Sequence, residues 1–144
     1  MKRLTLIDKA FLLKRSPLFG TLDLDLLLAI ADKLGAVVCE PGESAFYKGE
    51  EANRMYFIVK GEIDLRLSPS EPIRRLSSGD FFGDESLFSG KPRSYEAYAP
   101  VETQLLTLAR TNLYSIISEC PSVAIGFLQL YALSLEQNER SRSV

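Results

Sequence analysis

The residues best suited to chemistry lie together in S-G-D-F-F-G-D-E-S-L-F-S-G-K-P-R-S, Ser78 to Ser94. Gly83 lets the backbone turn sharply after a strand. Asp84, Glu85 and Ser86 then open one short helical turn, whose first N–H groups lack intrahelical partners and favour an anion. Arg93 enters the next strand carrying a planar, permanently charged fork suited to a phosphate. Two carboxylates, outward amides and one arginine in a single segment point to a pocket for a ligand both hydroxylated and anionic. Two plainer roles compete: Arg93 in a surface salt bridge with Asp84 or Glu85, and Asp84 as a helix cap only. The segment is not a nucleotide-triphosphate loop. Six residues, not four, separate Gly83 from Gly90-Lys91, and Pro92 stands where that loop needs Ser or Thr.

The rest of the composition narrows the chemistry. The 144 residues include no histidine, no tryptophan and two cysteines. Without histidine there is no Ser-His or Cys-His nucleophile, no imidazole metal ligand and no histidine pH switch. No nucleophile–base pair or metal constellation is legible, so an enzyme is not expected. Seventeen basic and nineteen acidic residues leave a net charge of −2, which argues against nucleic-acid binding across the whole chain. Cys39 and Cys120 lie far apart without a C-x-x-C pair and read as two buried thiols in a reducing compartment. The start, M-K-R-L-T-L-I-D-K, imitates a signal peptide until Asp8 and Lys9 interrupt it. No run approaches the ~18 apolar residues of a membrane span, so a cytoplasmic chain is expected.

The elements that must position Ser78–Ser94 follow from periodicity. Leu4, Ile7, Phe11 and Leu6, Ala10, Leu13 repeat at helical spacing in a basic amphipathic segment that Ser16-Pro17 ends. This basic face reads as solvated, with an anionic membrane surface or a partner as the alternative. A second helix is expected from about Leu22 to Leu34, stopped by Gly35. From Ala36 the period shortens to β-prone runs bounded by turn residues: A-V-V-C, S-A-F-Y, R-M-Y-F-I-V, E-I-D-L-R-L, Ile73–Leu76, Arg93–Ala99 and Glu102–Leu108. Lys60-Gly61 reads as a two-residue hairpin loop. Thr111 is the expected cap of T-N-L-Y-S-I-I-S-E, and Pro121 suits the first turn of a last helix. That helix carries Val123, Phe127, Leu130 and Tyr131 at helical spacing, a stripe that needs covering if exposed. The order is helix, helix, about eight strands, helix, helix.

The cassette F-G-D-E-S-L-F-S-G-K-P-R-S resembles the phosphate-binding cassette of the cyclic-nucleotide-binding domain family, usually F-G-E-(L/M)-(A/S)-L-x4-P-R-(A/S/T). P-L-F-x-x-L at Pro17–Leu22, P-G-E-x-x-F-x-K-G-E at Pro41–Glu50, M-Y-F-I-V-K-G-E-I at Met55–Ile63 and T-N-L-Y-S-I-I-S-E-C-P at Thr111–Pro121 are similar to other parts of that family. The resemblance implies an eight-stranded double-sheet jelly-roll barrel, mainly β, with helices at both termini. It implies one domain over 1–144: N-terminal helices at 1–35, the barrel at 36–109 with its cassette at 82–94, and C-terminal helices at 110–144. It also implies roles. Arg93 pairs with the cyclic phosphate, helped by the amides near Glu85 and Ser86 and by Ser94. Asp84 accepts the ribose 2′-OH, and Gly83 lets the backbone approach the sugar. Asn138 falls near a base contact.

Three departures stand out. Asp84 is one methylene shorter than the usual glutamate. Glu85 replaces an apolar residue and opposes an anion if it points inward. Tyr95 and Glu96 replace the small and threonine-like residues that usually follow P-R-S. In the family a C-terminal helix closes over the base and, in bacterial regulators, forms a dimer seam and leads to a helix-turn-helix. Here that helix is expected to end near Arg140, which leaves no room in these residues for a DNA-reading domain. The leading expectation is a cAMP or cGMP sensor that requires no cofactor and signals through its terminal helices to an effector or a second copy. The alternative is a degenerate member of the fold that binds no nucleotide and serves as an interaction or dimerisation module.

Overall fold

The computed structural model describes residues 3–142, with side chains to Asn138; Met1, Lys2, Ser143 and Val144 lie outside the described residues. Helix α1 (Leu6–Arg15) begins at a reciprocal cap: Asp8 N–H donates to Thr5 Oγ1 (3.1 Å) and Thr5 N–H to Asp8 Oδ2 (3.0 Å). It ends at Ser16, as the proline that follows requires. Helix α2 (Leu24–Ala31) is capped by Asp23, which accepts from Leu26 N–H (3.0 Å). It is shorter than the expected Leu22–Leu34. Gly35 is not its stop signal but the first residue of β1 (Gly35–Cys39), where a Cβ would sit 2.6 Å from Thr107 Oγ1.

Strands β2 (Ser44–Phe46), β3 (Arg54–Lys60), β4 (Glu62–Ser68) and β5 (Glu71–Ser77) follow, then β6 (Phe81–Phe82), the short helix α3 (Glu85–Ser89), β7 (Glu96–Tyr98) and β8 (Thr103–Ala109). They form two antiparallel four-stranded sheets, ordered β1-β8-β3-β6 and β2-β7-β4-β5. The double-sheet jelly roll with terminal helices is therefore the fold. Lys60-Gly61 is not a hairpin, because β3 and β4 belong to different sheets. The chain turns a corner there, with Gly61 at φ +110°. A Cβ on Gly61 would lie 2.5 Å from Thr103 Oγ1, whose hydroxyl donates to Glu62 O (2.9 Å) and accepts from Glu62 N–H (3.1 Å).

Two apolar cores explain why R-M-Y-F-I-V reads as an unbroken run. Tyr56 and Ile58 face inward between the sheets with Phe46, Ile63, Leu65, Phe82, Tyr95 and Leu105. Met55 and Phe57 face outward, onto Phe19, Leu27, Leu113 and Phe127 of the helical layer. Strand β8 is shared in the same way, with Leu105 inward and Leu106 and Leu108 outward. A strand buried on both faces loses its polar alternation. Helix α4 (Arg110–Glu119) starts one residue before the expected cap. Its N-cap is Ala109, which makes no side-chain bond, and Thr111 lies inside the helix. Helix α5 (Pro121–Arg142) starts at the proline, 109° from α4. Cys39 and Cys120 are buried and unpaired. Among the described residues no single helix is long and apolar enough to cross a membrane.

Candidate ligand site

The site starts where β6 ends. Gly83, at φ +82°, turns the chain into α3, and its missing side chain makes room for a neighbour. That neighbour is Arg93. A Cβ on Gly83 would lie 3.0 Å from Arg93 Nη1 and 3.3 Å from both Phe46 Cε2 and Tyr56 Cδ2. Arg93 Nη1 donates to Gly83 O (2.5 Å) and Nη2 to Arg54 O (2.5 Å), while the guanidinium lies 4.0 Å above the Phe46 ring. Its backbone pairs with the Gly49-Glu50 turn: Arg93 N–H donates to Glu50 O and Gly49 N–H to Arg93 O, each at 2.8 Å. Arg93 is 5% exposed. It is neither a surface residue nor an ion-pair partner of Asp84 or Glu85; burial pulls its proton affinity below the usual arginine value.

The strand expected over Arg93–Ala99 is shorter, β7 covering only Glu96–Tyr98, but burial alternates through the bend before it. From Arg93 to Ala99 alternate residues are buried, so Arg93, Tyr95, Ala97 and Ala99 point inward and Ser94 is exposed. Ser94 therefore does not line the cavity with Asp84. Tyr95 does. Its hydroxyl accepts from Gly83 N–H (3.1 Å) and donates to Glu85 Oε1 (2.8 Å). Burial, then the nearby Glu85 charge, holds the Tyr95 hydroxyl well above the usual phenol range, so it stays a donor. Ser86 is buried and turns away from the cavity, its hydroxyl towards Pro92 O (3.4 Å) and its carbonyl accepting from Arg110 Nη2 (3.1 Å).

Asp84 occupies the N-cap position of α3 but makes no capping bond with its side chain. The carboxylate points into the cavity, where Tyr131 of α5 donates to Oδ2 (2.5 Å). Asp84 is 5% exposed, and burial, with the Glu85 charge next, pushes its carboxyl from 3.8 up to about 6. The cavity measures about 290 Å³ and is closed by Leu130, Tyr131 and Ser134 on the α5 side. Among the described residues, Asp80, Asp84 and Glu85 line it against one cation, Arg74.

The structure thus brings Asp84 and Glu85 to one wall of the cavity, whereas Gly83 is buried behind Tyr95 and Arg93 lines a separate cavity with Phe46, Glu50 and Arg54. Asn138 is exposed on α5, one turn beyond the last residue that lines the cavity. Phe127 is buried and Leu130 and Tyr131 are half-buried, so the Phe127–Leu130–Tyr131 stripe faces this chain and not solvent. Sequence reasoning missed Tyr95, Tyr131 and Arg74 as site residues. The signal for Tyr95 was its bulk after P-R-S, and for Tyr131 a polar tip on an otherwise apolar stripe. Nothing in the sequence marked Arg74.

The sequence pattern of the cyclic nucleotide-binding domain family matches residues 36–120, more than half of the chain. A cyclic nucleotide-gated potassium channel of Rhizobium etli is 34% identical over 108 residues, covering 75% of this chain and 30% of the channel. The chain thus spans less than a third of that relative's length. The catabolite activator protein of Thermus thermophilus shares the fold with a TM-score of 0.80 at 26% identity, covering 89% of this chain and 62% of that one. The sensor domain of the transcriptional regulator DNR from Pseudomonas aeruginosa is alike in fold, with a TM-score of 0.81 at 20% identity over 94% of this chain and 93% of that one.

Proposed function

This chain belongs to the cyclic nucleotide-binding domain family, and we propose that it is a regulatory sensor that binds cAMP or cGMP in the cavity between the β6–α3 segment and α5. One observation carries the reading. The Gly83 N–H and the Asp84 carboxylate are chain neighbours, each held by the hydroxyl of a cavity-lining tyrosine, Tyr95 and Tyr131, so that Asp84 faces the cavity and the Gly83 N–H lies just behind Tyr95. A backbone donor suits an anionic oxygen and a carboxylate suits a ligand hydroxyl, so this pair fits a molecule bearing both groups. Arg93 lies against Gly83 and supplies the cation once its guanidinium leaves the two carbonyls. The signal leaves through α5, which touches the site directly.

A second reading draws on a different observation. Tyr95 fills the cradle with its own oxygen, and among the described residues three carboxylates line the cavity against Arg74 alone. Both features favour a module that binds no nucleotide and acts through its surfaces. In either case α5 offers a seam to a second copy. Ile125, Leu128 and Leu135, 54%, 66% and 64% exposed, lie with Ala132 at the three-and-four spacing of a coiled-coil stripe.

Thermal denaturation with cAMP and cGMP separates the readings. Ligand at a hundredfold above Kd stabilises by about 2.7 kcal/mol, and Arg93→Ala abolishes the gain. An unmoved transition at millimolar nucleotide, or a gain that persists in Arg93→Ala, contradicts the sensor reading.

A further inference from the structure

Tyr131 does more than pack against the barrel. Its ring lies among Phe88 and Phe127, with centroids at 6.4 and 6.1 Å. Its hydroxyl reaches across the cavity to Asp84, a carboxylate that is 5% exposed. Upstream, α5 is anchored by Val123 and Phe127, both buried, with Phe127 edge-on to Phe81 at 5.8 Å. Downstream, Ala132 to Asn138 are all exposed. The Tyr131–Asp84 bond therefore sits at the boundary between the anchored and the solvent-facing parts of the helix.

We propose that Tyr131 is an internal competitor for Asp84, and that a ligand hydroxyl reaching that carboxylate displaces it and frees α5 beyond Phe127. The inference rests on the sensor reading and adds what couples the site to the helix. A buried carboxylate must keep a hydrogen-bond donor, because leaving it bare costs its desolvation. A carboxylate can accept from several donors, so the competition is steric: the Tyr131 hydroxyl lies in the cavity at Asp84 Oδ2, where a ligand hydroxyl bonding that oxygen would have to sit. The ligand class selected is accordingly one with a free hydroxyl beside its anionic group. Among 3′,5′-cyclic nucleotides that group is the 2′-hydroxyl, and a 2′-deoxy analogue has nothing to offer Asp84. Tyr131 thus lowers the affinity for a hydroxyl-bearing ligand, while Asp84 selects that hydroxyl.

Tyr131→Phe keeps the ring and its aromatic contacts and removes only the competing hydroxyl. The experiment is calorimetric titration of the wild-type chain and this variant with cAMP, cGMP and their 2′-deoxy analogues. Hydrogen exchange along α5 is recorded with and without each nucleotide, and the thermal transition of each protein serves as the folding check. The expected result is roughly tenfold tighter binding of the 2′-hydroxyl nucleotides by Tyr131→Phe, the effect of a lost hydrogen bond to a charged group. Exchange beyond Phe127 rises in the wild type on binding cAMP or cGMP and not with the deoxy analogues. In the folded variant it is already raised before ligand is added. Binding by both proteins with equal affinity and unmoved α5 exchange overturns the role of Tyr131 and leaves the sensor reading standing. Binding by neither protein overturns both.

Discussion

Arg93 and Gly83 are locked face to face: the arginine's Nη1 donates to the glycine's carbonyl at 2.5 Å, and a Cβ on the glycine would lie only 3.0 Å from that nitrogen. The same glycine gives its N–H to Tyr95. One residue is thus held from two sides, by the cation on its carbonyl and by a neutral hydroxyl on its amide. Rearranging the cradle for an anion requires both side chains to move.

The first prediction concerns Arg93 as a structural part. Its guanidinium is buried, bonded to two carbonyls and seated on Phe46. Arg93→Ala leaves those carbonyls without a donor and opens a hole, so it should lower stability by roughly 2–4 kcal/mol even without ligand. Urea denaturation measures this. A change under about 0.5 kcal/mol, typical of an exposed charge, contradicts the buried placement.

The second concerns Asp84 and pH. Its carboxyl is pushed up to about 6 in the folded chain against 3.8 for the free group. Between those values the folded chain holds a proton that the unfolded chain has lost. Stability from this group is therefore complete below about pH 4 and is lost as pH rises through about 6. Asp84→Asn removes the charge and should be more stable than wild type at pH 7.5, by up to roughly 2–3 kcal/mol. The advantage should fade towards pH 4.5. Thermal melts at both pH values test it, and a difference independent of pH contradicts it.

Much of this fold could be read from the sequence because strong local signals agreed with it. Ser16-Pro17 ends α1, Pro121 opens α5, and short apolar runs between glycines become strands. The misreadings have a common cause. Gly61 has the positive φ that a turn glycine should have, but whether a turn closes a hairpin or crosses between sheets depends on tertiary pairing. Gly35 looked like a helix stop and is instead a strand residue pressed on Thr107. The cassette was legible as a segment, whereas its side-chain directions were not. Ser94 points outward and Tyr95 inward in the bend that precedes β7, and Arg93 turns back onto carbonyls supplied by Gly83 and by distant Arg54. Partners that lie 39 residues away leave no trace in local pattern.

The third prediction concerns α5's outer stripe. If Ile125, Leu128 and Leu135 pair with a second copy, Leu128→Asp places a charge in the seam. The wild-type chain should then scatter light as a dimer in the micromolar range, and the variant as a folded monomer. A wild-type monomer at high concentration, or a variant that still dimerises, contradicts pairing along this face.

The central claim, that this cavity takes a cyclic nucleotide, is tested most directly by a crystal structure grown with millimolar cAMP or cGMP. The account predicts nucleotide between the β6–α3 wall and α5, with a phosphate oxygen on the Gly83 N–H in place of the Tyr95 hydroxyl. Arg93 should have turned from the Gly83 and Arg54 carbonyls to the phosphate, and a ribose hydroxyl should lie on Asp84. A structure in which Tyr95 still holds Gly83, Arg93 still holds both carbonyls and the cavity contains no nucleotide would contradict it.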